Sequence, residues 1–282
     1  MDHGGYSVDD CLALVERSPT AVKAHDKQAW LAIFANCNIV EDPVGSAPHV
    51  TQADGQRSKG GAMDSLSAFY DTFIASNDIR FHVARDIVCG LHVVRDLTLE
   101  ITMSSEVTVR VPMHLLYELR EEEGELRIGR LAAHWELGPM LRQQLVLRRT
   151  YLKAGAASFS RMRRHLGIAG IAGFMRALSS VGDEGKQRVE DFARLFNNRG
   201  ELVELFSAGN AVVAFPHGGE RLTPAQLALQ DGEFSFEKKL SAGRFVSASC
   251  SYRRGELTYR GVAFFEFDRG NLQIVALTFY WQ

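Results

Sequence analysis

The chain has 282 residues, of which 46% are hydrophobic and 23% are charged, and its formal net charge is -2 at pH 7. These values are typical of a globular protein with one large or two ordinary domains, and they exclude the charge excess of a nucleic-acid-binding protein. Four scattered cysteines without a CxxC pair predict buried thiols in a reducing compartment, not disulfides or a zinc site. We find no secretory signal and no apolar run of membrane-spanning length, so we expect a cytoplasmic protein without a membrane span.

Hydrophobic periodicity predicts helices followed by a meander of strands in the first half of the chain. Three- and four-residue spacing indicates helix, whereas strict alternation indicates strands that bury one face, as in an antiparallel sheet packed on helices. Pro19 marks either a break or the first turn of a second helix, with Ser18 as its N-cap. The predicted elements are helical structure over residues 8–34, a short strand at 39–40, a loop over 51–61, a helix over 62–75, and strands over 79–88, 91–103, 107–120 and 126–135.

A basic segment follows at residues 138–186. It contains nine lysines and arginines against two acids, a net charge of 9 − 2 = +7. The pattern predicts two helices, near 139–154 and 159–179, with small residues at 167–173 interrupting the second. The segment is either a basic arm for a membrane surface, an acidic partner or nucleic acid, or an inter-domain connector. In the second case its charges face water and its apolar stripe packs on the sheets, and we favour this connector.

The order of elements then repeats. Helical patterns at 189–196 and 202–206 precede a strand at 211–215, and Phe215-Pro216 parallels Asp42-Pro43. Four more strands are predicted at 234–239, 244–253, 257–268 and 272–281. We infer an internal duplication with a first domain at 1–137, a basic helical connector at 138–186 and a second, degenerate domain at 187–282.

Asp42 is the candidate catalytic residue of the first repeat. It follows the apolar pair Ile39-Val40, and Pro43 restricts it to an extended conformation at the strand end. A carboxylate held beside an apolar floor has the chemistry of a general base. The alternative is that Asp-Pro only starts a turn and that the acid is solvated.

The run from Val40 to Pro48, the downstream Phe69-Tyr70 and the strand that ends at Trp135 resemble the ketosteroid isomerase branch of the NTF2-like (SnoaL-like) superfamily. The resemblance implies an α+β fold of two cone domains, each a curved antiparallel sheet wrapped on helices. Such cones hold a small apolar ligand, so we expect a steroid- or polyketide-like molecule as the partner, and we expect no cofactor and no metal.

The resemblance also implies catalytic roles. In the steroid isomerases an aspartate moves a proton beside a carbonyl, while a tyrosine and a protonated acid stabilise the dienolate; that enzyme is a well-known worked example of tuned acidity. Asp42 matches the base, and Tyr70 matches a supporting helix tyrosine. The family's oxyanion tyrosine near Ser18 and its protonated acid have no counterpart, so we expect Tyr70 or Tyr117 to donate instead. The ligand-binding residues expected in the cone are Trp30, Phe69, Leu97, Leu99, Met113, Leu115, Leu131 and Trp135.

Three functions are compatible with these residues. The first is an isomerase- or cyclase-like enzyme, the second a non-catalytic module for a hydrophobic ligand, and the third an assembly protein. The two halves are expected to pair like a homodimer of the superfamily, as an intramolecular pseudo-dimer or a dimer of such pairs. By strand parity His134 points away from Leu131, Ala133 and Trp135, and we expect it at the surface or an interface.

Overall fold

A computed structural model describes residues 5–51, 62–103, 107–146, 148–208 and 211–282 of the protein, with the side chains of 62–64 and 144–158 left out. The chain divides into two compact units. Unit 1 comprises Met1–Asp86 and Leu91–Leu178, and unit 2 comprises Ile87–Gly90 and Ser179–Gln282. Among the described helices, none is long and apolar enough to cross a membrane. The predicted division at residues 137 and 186 stays a prediction.

Unit 1 contains helices and six strands in an order close to the predicted one. A short π-helical turn, Tyr70–Ile74, extends the third helix, and the fifth helix has a non-helical residue at Gly167. The elements are α1 (Val8–Lys23), α2 (Lys27–Leu31), β1 (Phe34–Glu41), β2 (His49–Thr51), α3 (Ala62–Phe69), β3 (Asn77–Cys89), β4 (His92–Met103), β5 (Val107–Glu122), β6 (Glu125–His134), α4 (Leu137–Val146) and α5 (Arg148–Met175).

Unit 2 repeats this order, and its helix before the long strands has five residues where the corresponding helix of unit 1 has eight. Short 3-10 turns lie at Arg176–Leu178, which closes unit 1, and at Leu202–Leu205. The elements of unit 2 are α6 (Gly182–Asn197), β7 (Val212–Phe215), β8 (Glu220–Leu222), α7 (Pro224–Ala228), β9 (Glu233–Ala242), β10 (Phe245–Arg254), β11 (Leu257–Phe267) and β12 (Ile274–Trp281).

The two sheets have the same strand order. It is β2-β1-β6-β5-β4-β3 in unit 1 and β8-β7-β12-β11-β10-β9 in unit 2. In each sheet one pair is parallel, β1 with β6 and β7 with β12, and the other pairs are antiparallel. The predicted α+β class with two repeated, sheet-and-helix units is confirmed, and the sheets are mixed because the short strand before each meander returns alongside its last strand.

Three local predictions around the first helix are corrected. Helix α1 runs through Pro19, and the hydroxyl of Thr20 donates to the Glu16 carbonyl in the same turn at 2.9 Å. The break comes later, where Asp26 caps α2 by accepting from the Ala29 amide. Ser18 is therefore a buried helix residue and not an N-cap. The helical pattern predicted to residue 34 ends at 31, and β1 begins at 34. Most of the loop predicted over 51–61 lies outside the described residues.

The interior of unit 2 is packed with aromatic side chains. Phe192 of α6 has no exposed surface, and its ring lies within 6.5 Å, centroid to centroid, of six other phenylalanine rings. The strand residues Phe265, Phe267 and Phe279 belong to this core. Phe264 and Tyr280 are also buried, and they pack on each other with 5.7 Å between ring centroids. The dense ring cluster fills the space between helix and sheet.

His134 corrects the prediction from strand parity. It lies on the opposite face from Ala133 as expected, but only 3% of it is exposed. It pairs in register with His114, which is fully buried. Burial lowers the pKa of His134 well below its usual range, and the nearby charges of His114 and Arg130 lower it further. Alternation identifies the face on which a residue lies but not whether that face is covered.

Candidate functional site

The end of β1 fixes Asp42 beside the last strand of the meander. Glu41 pairs with Ala132 of the parallel strand β6, and the Val44 amide donates to the Ala133 carbonyl at 2.8 Å. The chain is thus held to β6 on both sides of Asp42. Two residues after Ala133, the indole Nε1 of Trp135 donates to Asp42 Oδ1 at 2.6 Å. Asp42 and Trp135, which are far apart in the sequence, are therefore held together as a pair.

Burial raises the pKa of Asp42 from 3.8 to about 6, and the hydrogen bond from Trp135 partly opposes that rise. Part of the residue faces an internal cavity, so it is half-buried although protein surrounds its carboxylate. Removing a carboxylate from water disfavours its charged form, which increases its affinity for a proton. At neutral pH the group is mostly ionised and more basic than an ordinary aspartate, as a general base requires.

Asp42 lies in the wall of a cavity of about 400 Å³ between the sheet and the helices of unit 1. This volume is in the range of small-molecule sites, and most of the wall is apolar. Nine of the eleven predicted site residues line this cavity: Asp42, Tyr117, Trp30, Phe69, Leu99, Met113, Leu115, Leu131 and Trp135.

Two predicted site residues are not part of the wall. Tyr70 starts the π-helical turn, and its ring packs on Trp30 with 5.5 Å between centroids. It can support Trp30 but does not face the cavity. Leu97 is buried on β4, next to Met113 in register, yet the cavity does not reach it. Strand alternation correctly places Leu97 on the inward face of β4, but it does not show how far along the strand the cavity extends.

A hydrogen-bonded set lies across the cavity wall from helix α1 to strand β5. The Trp30 Nε1 donates to Ser18 Oγ at 3.2 Å, and Ser18 is hydrogen-bonded to Tyr117. Burial raises the pKa of Tyr117 to about 12, while the nearby Arg95 and the Ser18 contact oppose the rise. Tyr117 therefore keeps its proton and can donate it in a hydrogen bond.

Arg95 supports this set from the inward face of β4. Its guanidinium binds both carboxylate oxygens of Asp86, at 2.8 and 3.1 Å, and also contacts Glu16 of α1. The Arg95 side chain is 1% exposed, so the ion pairs satisfy a charge that would otherwise be costly to bury. The network ties α1, which carries Ser18, to the sheet that carries Tyr117.

Helices α4 and α5, here called the cap, complete the wall. Gln143 of α4 exchanges two hydrogen bonds with the backbone of Arg110 in β5, at 3.2 and 3.0 Å. At the other end, the Ala47 amide donates to the Gly173 carbonyl at 3.0 Å, and an added Cβ at Gly173 would lie 2.7 Å from the Ala47 Cβ. Phe174 stacks on Phe73 with 5.1 Å between centroids. Apolar residues of the segment predicted as a connector therefore supply part of the cavity wall.

Unit 2 has no counterpart of the acid. Phe215 ends β7 as Asp42 follows β1, and its ring lies 4.9 Å from that of Trp281, the counterpart of Trp135. It also stacks on Phe279 at 5.3 Å. An aromatic ring replaces a carboxylate at the same place in the fold, so this position in unit 2 has no proton-accepting group.

No protein-family model matches the sequence, and no curated protein does so either. Among solved structures, a Δ5-3-ketosteroid isomerase from Mycobacterium sp. is 27% identical, with a TM-score of 0.38, over 46% of this chain and 95% of its own. A computationally designed 17-OHP binder is 21% identical, with a TM-score of 0.37, over 46% and 95%. A LEH-like epoxide hydrolase from M. tuberculosis is 14% identical, with a TM-score of 0.37, over 53% and 94%.

Each of these proteins spans about half of this chain. Within this chain the two sheets have identical strand order, so the duplication predicted from the order of elements is present in the fold.

Sequence reasoning missed Ser18, the cap residues and Arg161, all of which line the cavity. Of these, only the cap has a sequence pattern that indicates burial, namely its apolar residues Phe159, Met162 and Phe174. Their spacing does not distinguish a helix packed on a sheet from a helix that lines a cavity.

Proposed function

We propose that unit 1 binds a small apolar molecule of the steroid or polyketide kind and acts on it as an isomerase- or cyclase-like enzyme, with Asp42 as general base. The observation that carries the proposal is a desolvated carboxylate in the wall of a largely apolar cavity of about 400 Å³. Such a base can remove a proton next to a ligand carbonyl and return it elsewhere on the ligand.

The negative charge that forms on the carbonyl oxygen needs a hydrogen-bond donor. Tyr117 is the candidate, because its raised pKa keeps it protonated and because it lines the same cavity. Ser18, which accepts from Trp30, donates its own proton to Tyr117 in this scheme and leaves the phenol proton directed at the ligand. The position near Ser18, where the resemblance implies a tyrosine, is thus served by a tyrosine from β5. Tyr70 acts indirectly, by packing on Trp30.

The test is turnover of a β,γ-unsaturated ketone, followed by the ultraviolet absorbance of the conjugated product. Asp42→Asn keeps the shape of the side chain and removes its basicity, so we expect turnover to fall by at least about a hundredfold. Unchanged turnover in this variant would reject the base. The matched control is Asp9→Asn at an exposed position of α1.

A second candidate function is non-catalytic binding of a hydrophobic ligand. The cavity favours it as strongly as it favours catalysis. The specific observation in its favour is that, among the described residues of the wall, Asp42 is the one carboxylic acid, so none matches the family's protonated acid. If Asp42→Asn changes affinity while the wild-type protein turns nothing over, binding is the function. An assembly role, a cytoplasmic location and an intramolecular pseudo-dimer or homodimer stay predictions.

A further inference from the structure

Arg161 is a basic residue in the wall of the apolar cavity. It lies on α5 between Phe159 and Met162, which line the same wall, and it is half-buried. Arg163 and Arg164 of the same turn are exposed. Of these three arginines of α5, Arg161 contributes to the cavity wall, whereas Arg163 and Arg164 are exposed.

Arg161 and Asp42 are the charged side chains of this wall among the residues that the structure describes. They are not a salt bridge. The carboxylate of Asp42 accepts from Trp135. Asp42 follows β1, whereas Arg161 lies on α5, so different elements of the wall carry the two charges.

We propose that Arg161 binds an anionic group, a carboxylate, sulfate or sulfonate, carried by the apolar ligand of unit 1. A guanidinium presents a planar fork of donors that matches such groups, and hydrogen bonds between charged partners are the strong ones. The inference rests on the cavity of the proposed function but not on its chemistry.

The two charges would also orient the ligand. An ionised Asp42 repels an anion, whereas Arg161 attracts it, so the acidic end lies at the cap and the other end lies at Asp42 and Tyr117. A ligand carbonyl at that other end is where the proposed base and donor require it. The substrate class is then a rigid apolar molecule with an acid at one end and a reactive ketone at the other.

The experiment compares two fluorescent probes that share one apolar skeleton. Anilinonaphthalene sulfonate carries an anion, and its uncharged parent, N-phenylnaphthylamine, does not. Dissociation constants of both are measured by fluorescence titration for the full-length wild-type chain, Arg161→Gln, Arg161→Lys and the matched control Arg163→Gln. Leu115→Trp, which fills the cavity, tests whether the probes bind there.

We expect Arg161→Gln to raise the dissociation constant of the sulfonate probe by about tenfold or more, and that of the neutral probe by less than about twofold. Arg161→Lys keeps the charge and should retain most of the sulfonate affinity, and Arg163→Gln should change neither probe. Equal weakening of both probes by Arg161→Gln, or no change in either, overturns the inference, as does sulfonate binding that survives Leu115→Trp. Loss of turnover in Asp42→Asn tests the proposed function separately, because probe binding involves no proton transfer.

Discussion

Replacing Asp42 by Asn should make the protein more stable above pH 6, at the cost of its proposed activity. The folded protein favours the protonated acid, because burial raises the pKa of Asp42 from 3.8 to about 6. Its contribution is therefore fully favourable below the unfolded value near pH 3.8 and is lost as the pH rises through about 6. Asparagine is neutral throughout and can still accept the hydrogen bond from Trp135.

The magnitude follows from the shift. About two pKa units at 1.36 kcal/mol each give a ceiling of about 3 kcal/mol in the free energy of unfolding at pH 8. At pH 5 linkage gives about 1.5 kcal/mol, because only the unfolded state is then mostly ionised. Solvent that reaches the cavity reduces both values and preserves their order.

Urea unfolding at pH 5 and pH 8, followed by tryptophan fluorescence, measures the difference between wild type and Asp42→Asn. Trp30 and Trp135 lie in unit 1 and report on its unfolding. Asp9→Asn, at an exposed site, should change stability by less than about 0.5 kcal/mol at either pH. An Asp42→Asn variant that is less stable than wild type at pH 8, or whose advantage does not grow with pH, would refute the reasoning.

Three further predictions concern other parts of the chain. Tyr117→Phe should reduce turnover about a hundredfold by removing the oxyanion donor, whereas Tyr70→Phe, outside the wall, should reduce it less than about fivefold; equal losses in steady-state assays would contradict this assignment. Phe192→Ala should destabilise unit 2 by about 3–5 kcal/mol in calorimetry, because it leaves a cavity inside a ring of phenylalanines, and should leave neutral-probe binding unchanged. Gly173→Ala should push the cap away from the adjacent loop and weaken binding of the neutral probe. Gly218→Ala, with no atom within 4 Å of the added Cβ, should leave this binding unchanged. Equal affinities of the two variants would show that the cap does not form part of the binding site.

The sequence predicted the elements that depend on local pattern. Alternation on β5 placed Met113, Leu115 and Tyr117 on one face, and all three line the cavity. The apolar pair before Asp42 and the proline after it predicted a fixed acid at a strand end, and the acid is fixed there by Trp135. The duplicated order of elements predicted two sheets with the same connections.

The remaining features depend on contacts between distant segments. Pro19 indicates either a helix break or the first turn of a second helix with Ser18 as its N-cap. Only the packed helix shows that the Ser18 hydroxyl contacts Trp30 and Tyr117. The apolar stripe of residues 138–186 predicted packing on a sheet, but the pattern does not show that apolar residues of α5 line a cavity there. Arg161 has the same local pattern as its exposed neighbours, and its position in the wall follows from how the helix is docked.

The most direct test of the account is a titration of the Asp42 carboxyl carbon by carbon-13 NMR, with Asp42→Asn to assign the resonance. We predict a midpoint near pH 6, well above the usual value for aspartate, and a further rise when a neutral apolar ligand displaces water from the cavity. A midpoint near pH 4 that a bound ligand does not move would contradict the claim that the hollow raises the proton affinity of this acid.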